Sequence, residues 1–142
     1  MSERYDEVET RNAEAVRLAF TRWAAGTGSP FELLAADAPW TIVGRSTAAR
    51  RYPDREAFLR EVIRPFSARL RTRLVPTVRE MFVDADVVTV LFDAEAVALN
   101  GQPYVNTYAW ILKMNNGQIV SATAFFDSIA FNELWSVAPK TD

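Results

Sequence analysis

Residues 87–127 read VVTVLFDAEAVALNGQPYVNTYAWILKMNNGQIVSATAFFD, and this stretch decides the fold. Residue types alternate along it at a period of two, the spacing of strands with two unlike faces. Asn100-Gly101 and Asn116-Gly117 interrupt the pattern. Asn-Gly accepts the two positive φ angles of a type I′ hairpin turn more readily than most dipeptides. The expected strands are therefore Val87 to Leu99, Gln102 to Asn115 and Gln118 to Phe126.

Two-residue turns fix register, so cross-strand partners follow by counting. Leu99 then faces Gln102, and Glu95 faces Asn106. Asn115 faces Gln118, and Asn106 faces Asp127. One face carries the rows Glu95–Asn106–Asp127, Asp93–Tyr108–Phe125 and Leu91–Trp110–Thr123, with direct neighbours about 5 Å apart. The other face carries Phe92, Ala94, Ala96, Val105, Thr107, Ala109, Ile111, Ala122, Ala124 and Phe126. The first face sets carboxylates and an amide in an aromatic frame, the make-up of a small-molecule pocket. The second is apolar and mostly small. It is expected to pair with its copy in a homodimer, where small side chains let two sheets approach closely.

Upstream of these strands the period is helical. Val8, Asn12, Ala15, Val16, Ala19, Phe20 and Trp23 predict a helix to about Ala25, stopped by Gly26 and Gly28. Ser29, Pro30 and Glu32 supply an N-cap, a first-turn proline and a capping box for a short second helix. Trp40 to Val43 is a short strand, and 45–53 a loop. Asp54 caps a third helix carrying Phe58, Leu59, Val62 and Ile63, which Pro65 kinks or ends. Leu74 to Val83 is a further strand, and Ser128 to Ser136 a last helix carrying Ile129, Phe131, Leu134 and Trp135. Helices followed by a run of hairpins give an α+β class, with one domain over 1–142.

Composition narrows the chemistry. There is no cysteine and no histidine, which leaves out thiolate chemistry, the commonest general base and the commonest zinc ligand. A net charge of −2 argues against a nucleic-acid binder. No apolar run reaches membrane-spanning length and the first residues are polar, so a cytoplasmic location is expected. Any metal would need an all-oxygen site, and only Asp93, Glu95 and Asp127 cluster by register; neither metal nor cofactor is expected. Arg45, Arg50, Arg51 and Arg55 crowd one loop, either clamping an anion or, the more ordinary reading, balancing Asp54 and Glu56.

The run from Asn100 to Trp110, then Asn116 to Val120 and Phe125-Phe126-Asp127, resembles the C-terminal half of SnoaL-like proteins in the nuclear transport factor 2-like superfamily. Leu33 to Asp37 before Trp40 to Gly44, and Tyr52 to Phe58, resemble its N-terminal half. The resemblance implies a cone-shaped curved sheet wrapped around helices, a pocket at the open end and, commonly, dimers. It implies cofactor-free chemistry on an apolar small molecule (isomerisation, cyclisation, dehydration or hydrolysis), or plain ligand binding. A steroid isomerase does not fit, because its catalytic Asp falls near Ile42, its oxyanion-hole Tyr near Ala19 or Phe20, and its oxyanion-hole acid near Tyr108 or Ala109. The Arg-x-Asp pair of limonene-type epoxide hydrolases appears as Asp93-x-Glu95. In a SnoaL-like reading Asp127 is the acid or base, tuned by Glu95 and linked through Asn106, with Tyr108 donating to a substrate oxygen. Asp93, Trp110, Phe125, Trp40 and Tyr104 then line the substrate.

Overall fold

The computed structural model of the protein describes residues 2–141. Helix α1 (Ser2–Ala25) begins before the first periodic apolar residue and lays Val16, Ala19 and Phe20 against the sheet. Pro30–Leu33 makes one 3₁₀ turn instead of the expected α-helix. Ser29 caps it by accepting from the Phe31 N–H at 3.3 Å. Strand β1 (Trp40–Ile42) follows, and the expected loop 45–53 contains a second short strand, β2 (Arg51–Tyr52).

The next helical stretch has three parts: α2 (Arg55–Phe58), a π-helical turn over Leu59–Ile63, and α3 (Arg64–Ser67). Asp54 caps its start, accepting from the Ala57 N–H at 2.9 Å. The widening has a local cause. Pro65 has no N–H for the carbonyl four residues back, and its ring would crowd that carbonyl. Arg64 N–H bonds to the Leu59 carbonyl, five residues back, and the chain stays helical past the proline.

The remaining elements are β3 (Val75–Asp84), β4 (Val87–Val97), β5 (Pro103–Asn115), β6 (Gln118–Phe126) and α4 (Ser128–Trp135). Helix α4 buries Phe131 and Leu134, while Ile129, expected to lie on the body, is 71% exposed. The six strands run in the order β2-β1-β6-β5-β4-β3. Every pairing is antiparallel except β1 with β6, so the sheet is mixed rather than purely antiparallel. It stays open at both edges and wraps the helices as the expected α+β cone.

Two features correct the counted register. The β4–β5 connection is three residues long, Leu99-Asn100-Gly101, because Val97 pairs with Pro103 and Ala98 N–H donates to the Gln102 carbonyl at 2.9 Å. Gly101 takes the positive φ of 86° that a three-residue loop requires at its end. The Asn116-Gly117 turn does have two residues, with φ of 52° and 79°. A bulge then intervenes: Met114 pairs with Ile119 but Lys113 with Ser121, leaving Val120 extra. Each event shifts pairing by one, and a one-residue shift exchanges the faces. Ala94, not Glu95, stands opposite Asn106, and Phe126, not Phe125, opposite Tyr108.

The inner face therefore carries Val88, Val90, Phe92 and Ala94 from β4, the even-numbered residues from Tyr104 to Met114 on β5, and Ala122 and Ala124 from β6. The outer face carries Asp93, Glu95, Val105, Thr107, Ala109, Ile111 and Phe125. The expected Ala-rich face does not exist as a unit, since its members divide between the two sides.

Candidate functional site

A cavity of about 620 Å³ lies between the inner face and the helices. Its walls are aromatic. Trp40 stacks on Phe58 with centroids 4.2 Å apart and planes at 10°. Trp110 meets the Trp40 ring edge-on at 5.0 Å and stacks with Trp23 at 5.8 Å. Phe31 sits 5.6 Å from Trp110, bringing the 3₁₀ turn into the same wall. Offset and edge-to-face contacts of this kind hold rings in fixed orientations. Phe66 and Phe131 line the cavity from α3 and α4.

Of the nine residues expected at the site, Trp40, Trp110 and Tyr108 line this cavity. Tyr104 and Asn106 are buried beside it. A single hydrogen-bonded chain joins them. Asn106 Nδ2 donates to Tyr104 Oη at 2.8 Å, and Tyr104 Oη lies 2.5 Å from Tyr108 Oη. Asn106 also fastens the end of the sheet. Its Oδ1 accepts from Thr107 N–H at 2.8 Å and from Asp127 N–H at 3.1 Å, and its Nδ2 donates to the Asp127 carbonyl at 3.1 Å. Tyr108 stacks on Phe92, centroids 5.0 Å apart and planes at 7°.

The four remaining residues lie elsewhere. Asp127 meets Asn106 only through its backbone. Its exposed carboxylate caps α4, accepting from Ile129 N–H at 2.9 Å. Glu95 and Phe125 are exposed on the outer face. Asp93, on that face too, accepts from Thr107 Oγ1 at 2.7 Å and pairs with Arg79 at 3.1 Å. No carboxylate of the described residues lines the cavity. Among the described residues, no three acidic side chains gather closely enough to hold a metal ion.

The arginine loop is also placed. Arg50 pairs with Glu61 and lies over the Tyr52 ring at 4.7 Å, and none of Arg45, Arg50, Arg51 or Arg55 reaches the cavity. Trp23 and Phe58 also line the cavity although at helical spacing they read as ordinary core, and Phe31 and Phe66 join them from turns at Pro30 and Pro65 that carry no pocket signal. Counting residues missed Arg71, Arg73 and Lys140, which lie in irregular segments without any period.

Burial sets the chemistry of the tyrosines. Tyr104 is pushed up to about 12, mainly by loss of solvent, with its bonds to Tyr108 and Asn106 offsetting part of the rise. Tyr108 is raised well above the usual phenol value, again chiefly by burial and then by Tyr104. Near neutral pH both are donors and neither is a base. A raised phenol favours the fold while it is protonated. Its contribution is complete below about pH 10 and is lost as pH climbs through about 12. We expect unfolding free energy to fall by about 3 kcal/mol over that interval from Tyr104. Urea titrations at stepped alkaline pH should show the loss, and Tyr104→Phe should remove that share while leaving the part due to Tyr108; a wild-type profile no steeper than the variant's would contradict it.

Solved structures share this architecture. A nuclear transport factor 2-like protein of unknown function from Burkholderia pseudomallei superposes with a TM-score of 0.72 at 17% identity, over 89% of this chain and 98% of that one. The chain has the nuclear transport factor 2-like fold. A protein designated a SnoaL-like polyketide cyclase, from a Jannaschia species, matches it with a TM-score of 0.71 at 20% identity, over 93% of this chain and 96% of that one. TerC, co-crystallised with polyporic acid, matches with a TM-score of 0.70 at 18% identity, over 88% and 98% of the two chains. No protein-family model matches the sequence, nor does any curated protein. Within this nuclear transport factor 2-like cone, no helix among the described residues is long and apolar enough to cross a membrane.

Proposed function

We propose that the cavity binds a flat, largely apolar small molecule that presents an oxygen to Tyr108. The aromatic cavity containing one end of the Asn106–Tyr104–Tyr108 chain carries this reading. Asn106 can only donate through Nδ2, so Tyr104 accepts there and keeps its own proton for the Tyr108 oxygen. Tyr108 then has a proton to give, and each bond in such a chain polarises the next. Occupation by a small molecule has precedent in the fold, since TerC was co-crystallised with polyporic acid.

A second reading makes the protein a cofactor-free enzyme of isomerase or cyclase type. The place of Tyr108 in the cavity wall and the likeness to a protein designated a polyketide cyclase favour it. Tyr108 would polarise a carbonyl by hydrogen bonding while the cavity excludes water. Either reading leaves Asp127, Glu95 and Asp93 outside the chemistry, because their carboxylates lie outside the cavity.

Naphthol and naphthalene test the binding reading, as they differ by one hydroxyl. Three of the four tryptophans line the cavity, so their fluorescence reports occupancy. We expect naphthol to bind about fivefold tighter, the effect of about 1 kcal/mol for a neutral hydrogen bond. Tyr108→Phe should bring the two ligands level. Equal affinities in the wild type, or a preference that survives in the variant, would count against Tyr108 as the donor.

We further propose that copies pair through the outer face of the sheet. Val105 is 59% exposed, Phe82 56% and Phe125 44% on that face, apolar side chains set among Asp93, Glu95 and Thr107 that a second copy would cover.

A further inference from the structure

The cavity is asymmetric in charge. The sequence is net acidic, yet three cationic side chains and no carboxylate of the described residues line the cavity. One cation is already committed: Arg73 donates to the carbonyls of Trp23 at 2.8 Å and Ala24 at 2.9 Å, closing the C-terminal end of α1. The other two, Arg71 and Lys140, form no ion pair among the described residues. Both are exposed, which places them where the cavity opens.

Their backbones are tied down. Arg71 N–H donates to the Val97 carbonyl at 2.7 Å, and Lys140 N–H donates to the Ala68 carbonyl at 2.8 Å. The second bond folds the C-terminal segment back over the end of α3. Two cations with no ion pair among the described residues are thus carried to one opening by segments far apart in sequence. The Glu32 carboxylate and the Arg22 side chain both lie beside Gly28, and neither lines the cavity.

We propose that the ligand is an aromatic anion, with its rings in the cavity and its negative group at the mouth beside Arg71 and Lys140. This rests on the binding reading above and adds a charge to the ligand. An anion there gains charge-assisted hydrogen bonds and keeps part of its hydration, so burial costs it little. Arg71 is suited to a carboxylate or sulfonate through its planar fork, and Lys140 adds a mobile point charge. Because the mouth is wet, the gain should weaken as salt rises.

Anilinonaphthalene sulfonate and phenylnaphthylamine form a matched pair of probes with the same ring frame, the first carrying a sulfonate. We expect the sulfonate probe to bind about tenfold tighter at low salt, with the margin shrinking as salt is added. Arg71→Gln with Lys140→Gln should remove most of that margin while leaving phenylnaphthylamine unchanged. Both positions are exposed, so folding is not at stake, and Ser67→Trp, placed at the cavity lining, should weaken both probes together. If the two probes bind equally and Ser67→Trp weakens both, the charge assignment is overturned and the cavity reading stands. If Ser67→Trp weakens neither, the probes bind elsewhere, and the cavity reading fails along with the charge.

Discussion

Arginine in place of Ala94 is expected to abolish folding, whereas arginine in place of Ala109 is expected to leave the chain folded and to break its pairing with a second copy. Counting from two-residue turns puts these alanines on one face; the structure puts them on opposite faces. Ala94 is 1% exposed, opposite Asn106 on the inner side, and it does not line the cavity. A guanidinium there has neither an acidic partner nor a route to water, and overpacks the core besides. Such a change should cost more than about 4 kcal/mol, most of the stability of an ordinary domain. Ala109 points outward between Thr107 and Ile111, within the face proposed to meet a second copy. Circular dichroism and light scattering on the two variants separate the cases. A folded Ala94→Arg protein would refute the register described above, and a wild type that scatters as a monomer at micromolar concentration would refute the pairing.

Asn106→Ala is expected to cost about 3 kcal/mol. The native amide makes four hydrogen bonds, three to backbone groups and one to Tyr104. Alanine strands the N–H and carbonyl of Asp127 together, each at about 1–3 kcal/mol if no water replaces the amide. The sheet-to-α4 junction should loosen and Tyr104 lose its donor. Urea denaturation measures the cost. Amide hydrogen exchange should show faster opening at Asp127 and along the start of α4 than in β4. A loss below about 1 kcal/mol would mean that water takes over the amide's role.

The fold was legible because its signals were redundant. The period-two run, two Asn-Gly pairs and the cap at Asp54 all agree, and no single one had to be right. The site was legible only where an inference did not depend on register. Tyr104, Asn106, Tyr108 and Trp110 share a face of β5 by alternation alone, and they stay together. Glu95, Asp93 and Phe125 were brought to them by counting through a turn, and the counting failed twice. In the first hairpin Leu99 joined the loop, which Asn100-Gly101 permits in either a two-residue or a three-residue form. In the second, the bulge at Val120 leaves no mark, because Ile119-Val120 carries neither a glycine nor a proline. Asp127 reads as a pocket acid because it ends a strand, but it also begins a helix, and N-capping claims its carboxylate. The cations at the mouth come from 68–74 and the C-terminal segment, where only tertiary structure brings them together.

The π-helical turn before Pro65 has an effect on ligand choice that no lining side chain exerts. A residue advances about 100° around an α-helix, so Phe58 and Phe66 in an unbroken α-helix would point about 80° apart. One residue absorbed in the wide turn brings them back to within about 20°, and both reach the cavity. The outline of the chamber is thus set partly by a missing N–H on a proline that does not line it. Relatives that vary at this position would remodel their ligand preference through helical phase, with every aromatic wall residue unchanged.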